Sequence, residues 1–337
     1  MSPNIKDVAN KAGVSATTVS AYLNKSAPVN KATAQRIKEA IEELGYKPNL
    51  IARSLRQKKT NIIGLIVGNI LSHFYSVIAK SVEDTAKKYG FNTILCNGDD
   101  DPQKELDYIK VLESSRAEGI ILTPSGKNED YINNVIRSGI NVVFIDRFLD
   151  KVNCSSVCVD NARSSYNAVK HLVEQGYKKI AIINGNLEII TAKERLDGYL
   201  KVLKEASLPI DNDLIKIGNF KRETGLTMSL ELLEGKNKPD AIFSTNLEIT
   251  KGILSSIKQK GLKIPDDIGL VGFDDSDLTQ LFNPPITVIS QPVHDIGLTA
   301  VEIMINEFES DKGLRKEVVR KILKTRLIKR ESTRKMN

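Results

Sequence analysis

The segment 4–24 constrains the fold more than any other part of this chain. Its first half has apolar residues on one face of a helical period, and Asn4 and Asp7 are spaced to cap the start of that helix. Gly13 can adopt the positive φ of a tight corner, and Ser15 can cap a second helix. Two short helices joined by a glycine turn are typical of a helix-turn-helix, although an ordinary amphipathic hairpin has a similar pattern.

The second half of this segment, A-T-T-V-S-A-Y-L-N, has the length of a short recognition helix. Helical spacing places Val19 and Leu23 on the face toward a core. The opposite face would fit the major groove of DNA, where side chains reach the edges of bases. The candidate DNA-contacting residues of this segment, expected to stay outside, are Ala16, Thr17, Thr18, Ser20, Ala21 and Asn24.

The net charge of +7 is confined to the N-terminal end of the chain. Residues 1–60 hold eleven of the 49 Lys and Arg residues and four of the 42 Asp and Glu residues. The 38 basic and 38 acidic residues that follow cancel one another. A basic segment joined to a neutral body is the distribution expected when one end of a protein meets phosphates.

Length and composition indicate a soluble globular protein of two or three domains. The chain has 337 residues, 41% of them hydrophobic, and no run of about 18 apolar residues that could span a membrane. Its first residues carry no hydrophobic secretory segment. Cys96, Cys154 and Cys158 follow no disulfide or zinc-binding spacing, so buried thiols are the simpler interpretation. These features fit a protein of the reducing cytoplasm.

A third helix completes a small all-α headpiece over residues 1–45. Asn30 can cap this helix, an apolar stripe follows at helical spacing, and Gly45 can end it. Residues 46–60 then form a linker without glycine, in which the segment 49–56 has the pattern of a two-turn helix. Because so short a helix is unstable alone, we expect it to order against a partner copy and DNA.

From residue 61 the pattern changes to alternating buried strands and amphipathic helices, which predicts an α/β core of two doubly wound parallel-sheet lobes. In the first series the predicted strands are 62–67, 93–96, 119–122 and 142–145, and the predicted helices are near 74–89, 102–115 and 128–138. In the second series the predicted strands are 180–183, 214–217, 241–244 and 269–272, and the predicted helices are near 162–175, 192–206, 222–234 and 249–260.

The last stretch, 287–330, has the pattern of a strand, a helix near 295–308 and a further strand. We expect it to cross back to the first lobe and then return to the second. The predicted lobes are therefore 61–160 with 291–323, and 161–290 with 324–330. Ligands of doubly wound sheets bind at the carboxyl ends of the strands.

No phosphate-loop, dinucleotide-binding or H-E-x-x-H motif occurs in the sequence. His73, His171 and His294 are scattered and have no evident nucleophile or metal partner. The sequence therefore predicts neither an enzyme nor a bound metal or cofactor.

Motifs in a recognisable order run through the whole chain. The first are I-K-D-V-A-N-K-A-G-V-S-A-T-T-V-S-A-Y-L-N, L-G-Y-K-P-N-L-I-A-R-S-L and K-K-T-N-I-I-G-L-I-V. Further on are V-D-N at 159–161, R-L-D-G-Y at 195–199, D-I-G-L-V-G-F-D-D at 267–275 and the closing L-I-K-R-E-S. Together they resemble the headpiece, hinge and sensor core of the lac/gal repressor (LacI-type) family. The resemblance implies a dimer that binds operator DNA through its headpieces. It also implies a small molecule, usually a sugar or related metabolite, bound between two periplasmic-binding-protein-like lobes.

The resemblance assigns DNA contacts to particular residues. Leu55 matches the hinge leucine that family members wedge into the central base step of the minor groove, which kinks the duplex. Arg53 and Arg56 flank it and can reach the backbone or the groove edge. The positions that read base edges match Ala16, Thr17 and Ala21. The last of these departs from the family, because most members have an arginine there that can bond guanine; this implies a different operator or greater reliance on DNA shape.

The resemblance also assigns effector contacts around the cleft. The matching residues are Phe74, Tyr75, Arg147, Asp160, Thr191, Arg195, Phe220, Asn246 and Asp274. Charged groups and amides at strand ends, with aromatic faces above them, suit a sugar ring or polyol. Arg147 and Arg195 together would also accept a sugar acid or a sugar phosphate. Asn246 is the weaker match, because Leu247 replaces the aspartate that commonly follows it.

Other functions share parts of this pattern. A solute-binding protein of a transporter has the same two-lobe core but no basic headpiece, and a sugar-metabolising enzyme would need catalytic groups. A global catabolite regulator docks a phosphorylated carrier protein through an arginine on the helix after Q-P, where this chain has Glu302. A carboxylate repels phosphoserine. The sequence thus favours a transcriptional regulator, most often a repressor, that responds to a local metabolite.

The charge distribution generates a first prediction. A fragment of residues 61–337 should fold and bind effector but lose operator DNA, because it lacks all of the net positive charge and the helix-turn-helix. A gel-shift titration at two salt concentrations compares the fragment with the full chain. Specific, salt-sensitive DNA binding by the fragment would refute the assignment of the headpiece.

Overall fold

The structure is a computed structural model that describes residues 3–24, 27–46, 60–310 and 317–333. Contacts divide the chain into two compact units, 1–60 and 61–337. The predicted hinge helix lies outside the described residues, and with it Arg53, Leu55 and Arg56. The side chain of Asn24 is outside them as well. In the part of the chain that the structure describes, no helix combines the length and apolar character needed to cross a membrane.

The first unit contains three helices, α1 Ile5–Ala12, α2 Ala16–Asn24 and α3 Lys31–Leu44. Asn4 and Asp7 form a reciprocal capping box, in which the Asn4 backbone N–H donates to Asp7 Oδ2 at 2.8 Å. Gly13 ends α1 at φ 64°, in the left-handed region that the corner requires. At the start of α2, Ser15 Oγ accepts from the Thr18 backbone N–H at 3.1 Å. The predicted helix-turn-helix is confirmed.

The three helices share a small apolar core, composed of Val8, Ala9, Ala12, Val19, Ile37 and Ala40. The expectation that Ser20 stays outside is wrong, because its side chain is only 9% exposed. Ala16 is half-buried and packs against the same core. Positions 16, 19, 20 and 23 follow the spacing i, i+3, i+4, i+7, so one continuous stripe of α2 faces inward. Thr17 is exposed, and Thr18 and Ala21 are half-buried.

The second unit alternates strands and helices. Its first half comprises β1 Ile62–Val67, α4 His73–Lys88, β2 Asn92–Asn97, α5 Pro102–Ser114, β3 Gly119–Leu122, α6 Glu129–Arg137, β4 Asn141–Asp146 and β5 Ser155–Val159. Its second half comprises α7 Asn161–Glu174, β6 Ile180–Asn184, α8 Ile190–Glu205, β7 Ile215–Ile217, α9 Arg222–Glu234, β8 Ala241–Ser244, α10 Leu247–Gln259, β9 Gly269–Phe273, α11 Asp277–Leu281 and β10 Thr287–Ser290. The last elements are α12 Val293–Glu309, β11 Arg320–Leu323 and β12 Arg326–Ile328.

These strands form two six-stranded sheets. The sheet of the first lobe (the N-lobe) has the order β11-β5-β4-β3-β1-β2, and every neighbouring pair in it is parallel. The sheet of the second lobe (the C-lobe) has the order β12-β10-β9-β8-β6-β7, and only β12 runs antiparallel to its neighbour. The predicted pair of doubly wound lobes is confirmed, whereas their residue bounds stay a prediction.

Strand β1 illustrates why both faces of each sheet are covered. Ile63, Leu65 and Val67 belong to the apolar cluster that includes residues of α4 and α12. Ile66 belongs to the cluster formed with α5 and α6. Because successive side chains of a strand point to opposite faces, a continuous apolar run such as I-I-G-L-I-V needs helices on both sides.

Three short elements were absent from the predicted pattern: β5, α11 and one of the two strands β11 and β12, because a single strand was expected after the last helix. Strand β5 has the sequence S-S-V-C-V, which mixes small polar residues with only two valines and so has a weak strand pattern. It nevertheless lies fully buried between β4 and β11. The final stretch follows the prediction: β10 pairs within the C-lobe, α12 packs on the N-lobe core, and the chain returns to the C-lobe in β12.

Helices α9 and α10 approach closely through glycines. A Cβ on Gly225 would lie 2.2 Å from the backbone O of Ile249, and one on Gly252 would lie 2.2 Å from the backbone O of Arg222. Backbone atoms cannot move aside as the end of a side chain can, so these positions fix the distance between the two helices.

We therefore expect Gly225→Ala to lower the free energy of unfolding by about 1–3 kcal/mol, because the added methyl group overpacks this contact. Thr227→Ala is the matched control, since Thr227 is exposed on the same helix, and its effect should stay within about 0.5 kcal/mol. Denaturant titration of both variants measures the difference. Equal stabilities would contradict the packing role of Gly225.

Candidate functional site

A cavity of about 670 Å³ lies between the two lobes, where strand ends from both sheets converge. Eight of the nine predicted effector contacts line it: Phe74, Tyr75, Arg147, Thr191, Arg195, Phe220, Asn246 and Asp274. The structure does not bring Asp160 to this cavity. Asp160 is exposed and caps α7 by accepting from the backbone N–H of Arg163 at 2.8 Å, and it borders a smaller pocket of about 180 Å³.

Two aspartates occupy equivalent places in the two lobes. Asp146 ends β4 and Asp274 follows β9, and these strands are third in the order of their respective sheets. Both have positive φ, 68° for Asp146 and 77° for Asp274. Such backbone costs about 1–3 kcal/mol at a residue other than glycine and concentrates at functional sites. This symmetry was not visible in the sequence, because the surrounding motifs differ.

On the N-lobe wall, Asp146 is part of a buried polar network. Its Oδ2 accepts from Tyr75 Oη at 3.1 Å and from Arg147 Nε at 3.2 Å. Arg147 Nη2 donates to Tyr75 Oη at 3.1 Å and to Asp100 Oδ1 at 3.0 Å. Burial alone would lower the pKa of Arg147, but Tyr75, Asp100 and Asp146 together raise it above its ordinary value. Burial also raises the pKa of Tyr75, so this residue stays a neutral donor.

On the C-lobe wall, Arg195 is held by neutral acceptors. Its Nε donates to Asn161 Oδ1 at 3.0 Å and its Nη1 to the backbone O of Thr245 at 2.6 Å. The guanidinium stacks on the Phe273 ring at 3.9 Å and lies 5.8 Å from the centroid of Phe220. Burial lowers its pKa, although its ordinary value is so high that the group keeps its charge. These contacts fix its orientation toward the cavity it lines.

Asp274 lies beside this arginine with one side-chain partner. Its Oδ1 accepts from Gln291 Nε2 at 2.7 Å. Burial raises the pKa of the Asp274 carboxyl, against the opposing effects of Arg195 and Gln291. A carboxylate accepts about four hydrogen bonds when fully satisfied, so Asp274 has acceptor capacity left for ligand hydroxyls.

The other residues predicted to contact the effector make contacts within the protein that hold the cavity wall in place. Asn246 caps α10 through Oδ1, which accepts from Ile249 N–H at 2.8 Å, while its Nδ2 donates to the Phe220 backbone O at 3.0 Å. Leu247, which departs from the family pattern, is buried in the C-lobe. Asn246 therefore holds the segment carrying Phe220 in place. Thr191 is buried near the start of α8, and Phe74 packs edge-on against Tyr75 with centroids 5.0 Å apart.

Several cavity residues were missed in the sequence, and the strand-end rule would have found them. Each follows the carboxyl end of a strand: Gly68 and Asn69 after β1, Asp99 and Asp100 after β2, Asn186 after β6, Asn219 after β7 and Gln291 after β10. The two lobes also meet directly, since Lys127 Nζ lies 3.3 Å from Glu188 Oε2. Lys127 belongs to the N-lobe and Glu188 to the C-lobe.

Within the headpiece, the described candidates for DNA contact differ in exposure. Thr17 presents an exposed side chain, and its neighbours Thr18 and Ala21 are half-buried. Ser20 faces the core instead. The exposed face of α2 is therefore narrower than the sequence pattern indicated.

Comparisons with known proteins agree with this architecture. Residues 60–330 match the model of periplasmic binding proteins and the sugar-binding domain of the LacI family, and residues 4–49 match the bacterial regulatory proteins of the lacI family. The chain is 34% identical over 315 residues to the HTH-type transcriptional repressor PurR of Vibrio atlanticus (strain LGP32), covering 93% of this chain and 94% of that protein.

Two solved structures are similar along nearly the whole chain. The transcriptional regulator CelR in complex with cellobiose is 28% identical, with a TM-score of 0.74 over 98% of this chain and 99% of that one. The lac repressor dimer bound to operator and the anti-inducer ONPF is 24% identical and shares the fold, with a TM-score of 0.87 over 99% of this chain and 100% of that one.

A helix-turn-helix unit followed by two parallel-sheet lobes around a polar cavity defines a DNA-binding regulator with a ligand-binding core. The chain belongs to the LacI family of bacterial regulatory proteins. As a member of this family it is a transcriptional regulator.

Burial of Asp274 generates a prediction about stability. Since its pKa is raised in the folded state, the fold favours the neutral form, and stability falls as pH rises through that raised pKa. Above the unfolded pKa this carboxyl therefore destabilises the ligand-free protein relative to a neutral side chain in its place. We expect Asp274→Asn to unfold at a higher temperature than the wild type at pH 7. The difference should narrow as the pH falls and vanish only well below the unfolded pKa of about 3.9, where both states of the wild type are protonated.

The matched control is Asp160→Asn, because Asp160 is exposed and asparagine is an equally good helix cap. Thermal unfolding between pH 4 and 8 should leave its melting temperature at the wild-type value. A lower melting temperature for Asp274→Asn at pH 7 would show that its carboxylate stabilises the empty cavity.

Proposed function

We propose that this protein is a homodimeric repressor whose affinity for operator DNA is controlled by a sugar or sugar derivative bound in the cavity between its lobes. The observation that carries the proposal is the composition of the cavity wall. Arg195 and Asp274 line it from the C-lobe, and Tyr75 and Arg147 line it from the N-lobe. A ligand that bonds both walls favours one relative position of the lobes.

The side chains of this wall suit a ligand rich in hydroxyl groups. A hydroxyl both donates and accepts, so it can bond a carboxylate and a guanidinium at once. Amides of the wall offer the same pairing, and they are Asn69, Asn186, Asn219 and Gln291. Phe74 and Phe220 add apolar surface for the face of a sugar ring. The cellobiose complex of CelR is an example of such a ligand in a similar protein.

Ligand binding would act on DNA through the position of the lobes. The Lys127–Glu188 pair is exposed, with side chains 56% and 67% accessible, and an exposed pair of this kind contributes at most about 1 kcal/mol. A ligand that makes several hydrogen bonds to both walls can therefore outweigh this ion pair. A preference of about 1–3 kcal/mol for one lobe position changes operator affinity roughly five- to 150-fold. In a dimer, this change would alter the spacing of the two headpieces.

Two alternative functions are less consistent with the described residues. A solute-binding protein would have no use for the basic helix-turn-helix. A regulator that docks a phosphoprotein would need a cation where Glu302 lies exposed on α12, and a carboxylate there repels phosphoserine. A cytoplasmic repressor that responds to a metabolite remains the proposal.

The experiment begins with a thermal-shift screen of neutral sugars, sugar acids, sugar phosphates and nucleobases against the full chain. Any stabilising compound is then tested for its effect on operator binding. Asp274→Asn should weaken binding of that compound by about 1–3 kcal/mol, because ligand hydroxyls lose a charged acceptor. Its operator affinity without ligand should stay at the wild-type value.

Asp160→Asn serves as the control again and should bind the compound as the wild type does, since Asp160 lies outside the cavity. Calorimetry measures the affinities and fluorescence anisotropy measures operator binding. Wild-type affinity in Asp274→Asn would exclude the cavity as the effector site. A compound that binds the cavity without changing operator affinity would refute the regulatory role.

A further inference from the structure

Three consecutive aspartates follow β2, and each has a different partner. Asp99 Oδ2 pairs with Lys104 Nζ at 2.5 Å. Asp101 caps α5, accepting from the Gln103 backbone N–H at 2.8 Å. Asp100 alone reaches across the N-lobe strand ends, where its Oδ1 lies 3.0 Å from Arg147 Nη2. All three aspartates line the cavity, but only Asp100 neutralises a residue of the predicted effector site.

The fold is built to hold Asp100 in this place. Its backbone has φ 53°, in the left-handed region. Gly68, which follows β1, lies next to Asp100. A Cβ on Gly68 would lie 2.8 Å from Asp100 Oδ1 and 3.1 Å from Tyr75 Oη. Any side chain at position 68 would therefore displace both groups. Because glycine has no side chain, position 68 leaves the space in which Arg147 contacts both Asp100 and Tyr75.

Arg147 is consequently shared between two carboxylates. Asp146 and Asp100 lie 3.2 Å and 3.0 Å from its nitrogens, and the guanidinium is only 4% exposed. One buried cation next to two carboxylates leaves an excess of negative charge on the N-lobe wall. Around the whole cavity, the lining contains six carboxylates, Asp99, Asp100, Asp101, Asp146, Glu248 and Asp274, and four cations, Lys104, Arg147, Arg195 and Lys221.

We propose that Asp100 determines the charge of the effector group that binds at the N-lobe wall, so that this wall accepts uncharged hydroxyl groups and excludes phosphate and carboxylate groups. The inference rests on the proposed function, because it concerns the ligand of the same cavity. Asp100 is partly exposed to the cavity, with 29% of its side chain accessible. It can accept from a ligand hydroxyl while it holds Arg147. A phosphate in the same place would face two carboxylates, which repel it more strongly than one guanidinium attracts it.

The experiment uses the full chain and inorganic phosphate as the probe, titrated against chloride at constant ionic strength. Asp100→Asn removes one charge but keeps the size of the side chain, an acceptor for Arg147 and a residue type that tolerates positive φ. Thermal shift and calorimetry should give this variant about tenfold higher affinity for phosphate than the wild type.

Asp101→Asn is the matched control. It removes the same charge from the same loop, and asparagine can still cap α5. Its phosphate affinity should rise much less, because Arg147 keeps both carboxylates. The double variant Asp100→Asn/Arg147→Gln should lose the gain, since the guanidinium that receives the anion is gone. A gain that persists there would mean an adventitious ion only, and would overturn the proposal.

Three other results would also overturn it: wild-type phosphate affinity equal to that of Asp100→Asn, an equal gain in Asp101→Asn, or a folded Asp100→Asn that gains nothing. Asp100→Ser is the second variant if Asp100→Asn does not fold, and loss of the fold in both would give Asp100 a purely structural role. The titration needs neither operator DNA nor the natural effector. Its failure would therefore leave the proposed regulation by a cavity ligand intact.

Discussion

Parallel strands end at the same edge of their sheet, and the cavity of this protein depends on that constraint in both lobes. Residues far apart in the chain, from Gly68 to Gln291, become neighbours because each follows such a strand end. The equivalent strands β4 and β9 carry Asp146 and Asp274 to opposite walls with the same left-handed backbone. Two lobes with similar topology therefore give the cavity a carboxylate on each side.

Burying charged side chains around the cavity lowers the stability of the fold unless each charge is compensated. Arg147 is compensated by carboxylates and Arg195 by neutral acceptors and the Phe273 ring. Among the described residues, Asp274 accepts hydrogen bonds from Gln291 and the Leu247 backbone N–H but forms no ion pair, and burial raises its pKa. A buried group with incomplete partners destabilises the empty protein but leaves bonding capacity for a ligand. Stability and effector affinity are thus expected to change in opposite directions when Asp274 is replaced.

In the headpiece, the core is small, and a small polar residue also faces it. Among its described residues, six buried apolar side chains form the centre of the core, and partly buried ones such as Leu23 pack around them. The inner stripe of α2 includes Ser20 as well. The prediction from the sequence assigned only the large apolar residues of α2 to the core and therefore placed Ser20 on the DNA-binding face. The helical period itself, applied to all residue types, would have placed it correctly.

The sequence by itself determined most of the order of the elements, the helix-turn-helix and the two-lobe class, because capping residues and apolar periodicity are local signals. It also identified eight of the residues that line the cavity through the resemblance of their motifs. Only the tertiary structure decided which strand ends face one another, and therefore that Asp100 reaches Arg147 while Asp160 lies outside the cavity. It also decided that S-S-V-C-V is a central strand, since burial between β4 and β11 outweighs its weak local preference.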